Sequence, residues 1–253
     1  MQNIFFPTNM KTWTKTLLIS IMTLPAFAQS GFKAQQLKFD RVKTAYDEKW
    51  SGLQKELKAA KFPENFSLFL AAYKTEGKLE VWLKAADQDE YKLFKTYNFC
   101  AHSGTLGPKI KEGDLQTPEG YYVINAFNPQ SNFHLSLGIN YPNKIDLLRS
   151  GSQRPGGDIY IHGNCVTVGC IPLTDDKIKE LYPIAVEAKN NGQQQIQVYI
   201  FPFKMTVANV TKYTKQFPQQ EVFWRNLKSG YDYFEKHKTL PVVTQKGTQY
   251  AFK

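Results

Sequence analysis

His162 and Cys170 stand eight residues apart in Asp158-Ile159-Tyr160-Ile161-His162-Gly163-Asn164-Cys165-Val166-Thr167-Val168-Gly169-Cys170-Ile171. A thiol attacks a carbonyl once a neighbouring imidazole holds or takes its proton. The pair therefore points to nucleophilic chemistry, provided the chain brings the two side chains together. Ile159 and Ile161 alternate with Asp158 and Tyr160, the period of a strand that ends on His162. Gly163 and Asn164 form turns, and the short apolar run Val166–Val168 stops at Gly169. A loop folding back from the strand would place Cys170 within hydrogen-bond reach of His162. A thiol of pKa about 8.5 is mostly protonated at neutral pH, so His162 is expected to act as general base or ion-pair partner. The backbone N–H groups of Gly169 and Cys170 are candidates for an oxyanion hole, where loss of one donor costs roughly 3 kcal/mol.

The same stretch resembles the catalytic motif of the YkuD family, the L,D-transpeptidases of bacterial cell walls. It is closest to the murein L,D-transpeptidase-like branch, through His162, Gly163, Cys165, Thr167, Gly169 and Cys170. Two upstream blocks agree: Ser103-Gly104-x-Leu106-Gly107-Pro108-Lys109, and Gly113-Asp114 followed by Thr117-Pro118-Glu119-Gly120. Phe133-His134-Leu135-Ser136 and Tyr141-Pro142-Asn143 also resemble this branch, and the likeness runs from about residue 66 to about residue 205.

The resemblance implies an α+β, β-rich, sandwich-like catalytic domain with helical extensions at both ends. It selects Cys170 as nucleophile and His162 as its partner, with the carbonyl of Gly163 fixing the imidazole tautomer. It implies acyl transfer through a Cys thioester on tetrapeptide stems of peptidoglycan, with no cofactor. The product would be a crosslink or a protein attached to the wall. The alternatives are hydrolysis of an L,D bond, which trims stems or releases a wall-linked lipoprotein, and a non-catalytic wall-binding protein. Where many members carry an Arg two residues after the nucleophile, this chain has Pro172. Arg149, Arg154 and Lys109 are the cations left to grip a substrate carboxylate, the arginines favoured for their bidentate geometry. His134, Thr167 and Asn164 complete the expected substrate-binding set.

These residues need a scaffold, and the chain supplies a legible one. Residues 32–61 recur apolar at spacings of three and four, the mark of one or two helices, and Phe62-Pro63 ends them. Strands are expected at 66–73 and 78–84 around the hairpin signal Thr75-Glu76-Gly77, then at 91–99, 121–127 and 132–139. The stretch 102–120 reads as a long functional loop. The stretch 147–157, carrying Arg149 and Arg154, reads as a polar, glycine-rich loop. Thr174 is an N-cap with Asp175 and Asp176 behind it, for a helix running to Asn190 and closed by Asn191-Gly192. A strand at 195–201 follows, then helical character over 206–238, and the tail beyond Pro241 is unassigned. The domain reading is a signal segment 1–28, a helical segment 29–63, a catalytic domain 64–205 and a C-terminal helical extension 206–253.

The first 28 residues have a basic start at Lys11 and Lys15, an apolar run Leu17–Leu24 and an Ala26-Phe27-Ala28 cleavage signal before Gln29, with Met10 a possible start. That run is too short to span a bilayer. The protein is therefore expected to be exported to the periplasm or cell envelope. The net charge is +10, and removing the two lysines of the signal leaves +8. Such a surface suits an anionic polymer; export argues against nucleic acid and for the wall, and solvated lysines are the plain alternative.

Cys100, Cys165 and Cys170 are an odd set, so one thiol stays free or bonds another molecule. Cys165 reads as a small motif residue, a disulfide partner of Cys100 or, with His162 and Cys170, a zinc ligand lacking a fourth; no metal site is assigned. Cys100 with His102 is a rival dyad, and His237 reads as a surface residue.

Overall fold

The computed structural model describes residues 1–2 and 31–253. Apart from its first two residues, the expected signal segment 1–28, like the mature start at Gln29, lies outside the described residues.

The sheet is built around β1 (Phe66–Tyr73). Its Leu68, Leu70 and Ala72 enter one apolar cluster, while Phe69, Ala71 and Tyr73 enter a second on the opposite face. A strand covered on both sides reads as a near-continuous apolar run, and in this segment only Ser67 interrupts it. Around it lie β2 (Lys78–Ala85), β3 (Lys92–Asn98), β4 (Gly120–Asn128), β5 (Ser136–Ile139), β6 (Tyr160–His162), β7 (Ile171–Pro172) and β8 (Gln197–Phe201). The eight strands form one curled sheet in the order β3-β2-β1-β8-β4-β5-β6-β7. The β1–β8 and β6–β7 pairs are parallel, the others antiparallel.

The sandwich character comes from β4. Its residues 120–123 pair with β8 and its residues from Ile124 to Asn128 pair with β5, across a register shift between Ile124 and Ala126. A bulge bends a strand, and this one carries β4 from one half of the sandwich to the other. The curl brings the two ends of the sheet together. Cys100, just past β3, donates its N–H to the carbonyl of Pro172 in β7 at 3.1 Å. Cys100 is also disulfide-bonded to Cys165.

Helices cover both faces. On one side α1 (Phe32–Gln36), α2 (Asp40–Ala45), a π-helical turn at Tyr46–Trp50 and α3 (Ser51–Ala59) pack with α5 (Asp175–Asn190). On the other side α6 (Val207–Gln216), a short 3-10 turn and α7 (Glu221–His237) bury Val210, Phe223, Trp224, Leu227 and Phe234. Thr174 caps α5, its hydroxyl accepting the Lys177 N–H. No helix among the described residues is long and apolar enough to cross a membrane.

Three expectations need correction. Residues 147–150, expected to open a loop, instead belong to a helix, α4 (Lys144–Ser150); Asn143 and Asp146 form a reciprocal capping box that starts it. The strand expected over 132–139 begins only at Ser136, because His134 sits at φ 69° in the turn that precedes it. The C-terminal extension is helical only to His237. Its tail forms a hairpin, β9 (Val243–Lys246) and β10 (Gln249–Phe252), held to α7 by two bonds between the Asn226 amide and the Tyr250 backbone.

Candidate active site

Parallel pairing of β6 with β7 sets Ile161 beside Ile171 and His162 beside Pro172. Side chains alternate along a strand, so Cys170 projects from the same face as Tyr160 and His162. The sulfur receives the Tyr160 N–H at 3.4 Å, and the thiol points its own proton at the Asp158 carbonyl, 3.6 Å away. His162 is buried, and its Nδ1 meets the carbonyl of Gly163 at 2.5 Å. That contact holds Nδ1 protonated and leaves Nε2 as the basic nitrogen. Phe133 lies over the ring, with centroids 4.6 Å apart. Cys170 is the free cysteine and lines a cleft of about 150 Å³.

Two glycines are needed for this geometry. A Cβ on Gly163 would lie 2.6 Å from Asp175 Oδ1, the same carboxylate oxygen that accepts the Asn164 N–H at 2.8 Å. A Cβ on Gly169, whose φ is 137°, would lie 2.7 Å from the Gln116 carbonyl. The chain thus closes tightly on both sides of the loop that ends at Cys170.

Burial pushes the Cys170 thiol up and the His162 imidazole down. The Tyr160 N–H and the nearby Lys109 ammonium oppose the shift at sulfur, the Asp158 carboxylate adds to it, and the Gly163 carbonyl opposes the shift at the ring. The resting pair is therefore a neutral thiol and a neutral imidazole, and the two share no hydrogen bond.

The other expected residues divide. The Gly169 N–H donates to the Thr167 hydroxyl at 3.1 Å, and that hydroxyl donates to the Cys170 carbonyl at 2.9 Å, so Thr167 organises the turn. Asn164 is exposed at φ 65°, a conformation Asn tolerates. Arg149 is stacked on Phe223, its guanidinium carbon 3.8 Å from the ring centroid, with Nε buried and unbonded; burial lowers its pKa. Arg154 is exposed on a neighbouring loop, and neither arginine lines the Cys170 cleft. Lys109 is spent on Asp114 at 2.7 Å. His134 does not line the cleft either. It packs toward α2, where its carbonyl accepts from Arg41 at 2.8 Å, and burial lowers its pKa. The disulfide settles Cys165 and removes Cys100 as a nucleophile. No group among the described residues is arranged to hold a metal. His237 is exposed against Tyr233.

The sequence did not reveal Glu119 as a hub. Its fully buried carboxylate takes Lys74 Nζ at 2.9 Å, the Gly107 N–H at 2.7 Å and the Trp224 indole N–H at 2.8 Å. Lys74 also donates to the carbonyls of Gly107 and Thr117, each at 2.9 Å. One carboxylate thereby ties the end of β1, the 103–119 cleft wall and α7 together. The Thr-Pro-x-Gly block contained Glu119, but two of its partners, Lys74 and Trp224, lie 45 and 105 residues away, beyond any local pattern.

Residues 79–200 match the family model YkuD, the L,D-transpeptidase catalytic domain. Over 186 residues, 73 % of this chain and 73 % of the relative, the sequence is 34 % identical to "Putative L,D-transpeptidase YafK" of Escherichia coli K12, with the same figures for strain O157:H7. Among solved structures, the helical cell shape determining protein Pgp2 of Campylobacter jejuni has a TM-score of 0.43 at 18 % identity, over 72 % of this chain and 74 % of that one. For a point mutant of Pgp2 the TM-score is 0.43 at 23 % identity, over 55 % of this chain and 48 % of that one, so the matched part is about half of that molecule. Bd1075 of Bdellovibrio bacteriovorus has a TM-score of 0.39 at 19 % identity, over 73 % and 79 % of the two chains. By its match to the family model and its identity to the Escherichia coli relatives, the chain belongs to the YkuD family of L,D-transpeptidase catalytic domains.

Proposed function

We propose that this protein is an exported L,D-transpeptidase that processes peptidoglycan stem peptides through a thioester on Cys170. The observation that carries this reading is the free thiol in a cleft, on the same sheet face as a histidine whose Nδ1 is held by the Gly163 carbonyl. His162 Nε2 takes the thiol proton as sulfur attacks the carbonyl carbon at the L–D bond. The C–N bond breaks, His162 hands its proton to the departing amine, and the acyl group stays on Cys170. An amine then attacks the thioester, loses its proton to His162, and Cys170 is reprotonated. Water in place of the amine gives hydrolysis by the same steps.

The Tyr160 N–H, already aimed at the sulfur, stabilises the thiolate as it forms. The Cys170 N–H serves the oxyanion, and the Gly169 N–H joins it by releasing the Thr167 hydroxyl. The Cys100–Cys165 bridge suits an oxidising compartment, and with the +10 charge it supports action at the anionic wall outside the cytoplasm. A wall-linked lipoprotein is one amine donor or release product consistent with this chemistry.

Mass spectrometry of muropeptides incubated with the protein tests the reading. New 3→3 crosslinks identify transfer and shortened stems identify hydrolysis. Either product disappears in Cys170→Ala, and full retention in that variant overturns the assignment.

A further inference from the structure

Pro172 lies two residues after Cys170 and offers no charge there, and the nearby cations that could grip a carboxylate are turned away or paired. Arg149 lies on Phe223, Lys109 on Asp114, and Arg154 outside the cleft. Lys74 does line the cleft, but its ammonium donates to Glu119 and to the carbonyls of Gly107 and Thr117, which uses all three of its protons.

His102 is different. It lines the same cleft as Cys170, its side chain is exposed, and it makes no hydrogen bond or ion pair among the described residues. Its ring is not loose. It lies beside Phe99, with centroids 5.9 Å apart, and against the backbone at Gly77, where an added Cβ would be 2.6 Å from His102 Cε1. Two residues earlier the chain is fixed by the Cys100–Cys165 bridge and the Cys100 N–H to Pro172 bond. No acidic side chain lines this cleft.

We infer that His102 is the group that recognises a carboxylate in the Cys170 cleft: its unpaired imidazole, held against Gly77, binds the free carboxylate of the residue that leaves when the L–D bond is cut. An imidazole offers one N–H when neutral and a charge-assisted bond when protonated. The inference rests on the thioester reading above and adds to it the residue that reads the stem's terminal carboxylate.

The test compares two synthetic tetrapeptide donors that differ only in a C-terminal carboxylate or carboxamide, in the wild type, His102→Ala and His102→Lys. The wild type should favour the carboxylate donor by roughly tenfold in kcat/KM, the scale of one hydrogen bond to a charged group. His102→Ala should lose that preference, through KM rather than kcat, and His102→Lys should restore it. Alkylation of Cys170 by iodoacetamide should proceed at the wild-type rate in His102→Ala. A preference that survives in His102→Ala, or is absent in the wild type, overturns the role of His102 and leaves the thioester reading standing. A slowed alkylation in His102→Ala would assign the ring to the thiol instead and also overturns it. A wild type that consumes neither donor overturns the thioester reading, and this inference with it.

Discussion

Burial moves Cys170 and His162 in opposite directions, and for the proposed thioester chemistry the direction of each decides how the thiol is activated. Cys170 is held above its ordinary pKa and His162 below its own. A preformed thiolate–imidazolium pair needs the reverse order, so on the proposed mechanism the proton moves during attack, with His162 as general base. That mechanism requires His162 neutral. Activity should therefore fall as pH drops and the ring gains a proton, with the midpoint of the acid limb of kcat/KM below 6.5, the ring's ordinary value. A pH series on a stem peptide measures this. A midpoint above 7 would show that the thiolate is preformed or that another group controls the limb. The placement of His162 against Gly163, on the sheet face of Cys170, was legible because all three lie in one short motif. The substrate-binding arginines were misplaced for a physical reason: sequence reveals a cation but not its partner, and an aromatic face 74 residues away captured Arg149.

At the scale of elements, β1, β2 and α5 were readable from local signals: a largely apolar run, a hairpin turn and a Thr174 cap. α4 was not, because a seven-residue helix has too few turns to show a period, and only the pairing of Asn143 with Asp146 announces it. The role of α7 was also hidden. Its amphipathic pattern predicts a covering helix, yet Trp224 reaches Glu119 and so supports the cleft wall carrying Gly107 and Thr117. Trp224→Phe keeps the ring and deletes the N–H. Leaving a buried carboxylate short of one donor costs about 1–3 kcal/mol. The expected result is a severalfold rise in KM for the stem peptide, with the iodoacetamide alkylation rate of Cys170 unchanged. Steady-state kinetics beside a thermal melt separates the outcomes: a lowered Tm with KM unmoved would mean that the bond only seats the helix.

For the whole molecule, the site is a product of closure. β3 and β7 are the outermost strands of the sheet, yet residue 100 bonds directly to Pro172, and the cleft opens beside that seam with His102 on one side and Cys170 on the other. Neither edge of the sheet holds the site alone; the bend in β4 brings them together. The Cys100–Cys165 bridge spans 65 residues across the same seam. Chain entropy alone gives such a bridge about 4 kcal/mol over the reduced, unfolded chain. In a protein of this size that is a drop of roughly 10 °C in Tm when the bridge is lost. Cys100→Ser paired with Cys165→Ser should show that drop. If the bridge also holds the seam shut, the double variant should alkylate at Cys170 faster and bind the stem peptide more weakly at temperatures well below its melt. A lowered Tm with both of those rates at wild-type values would confine the bridge to stability, and would leave the backbone bond from Cys100 to Pro172 as the part of the seam that shapes the cleft.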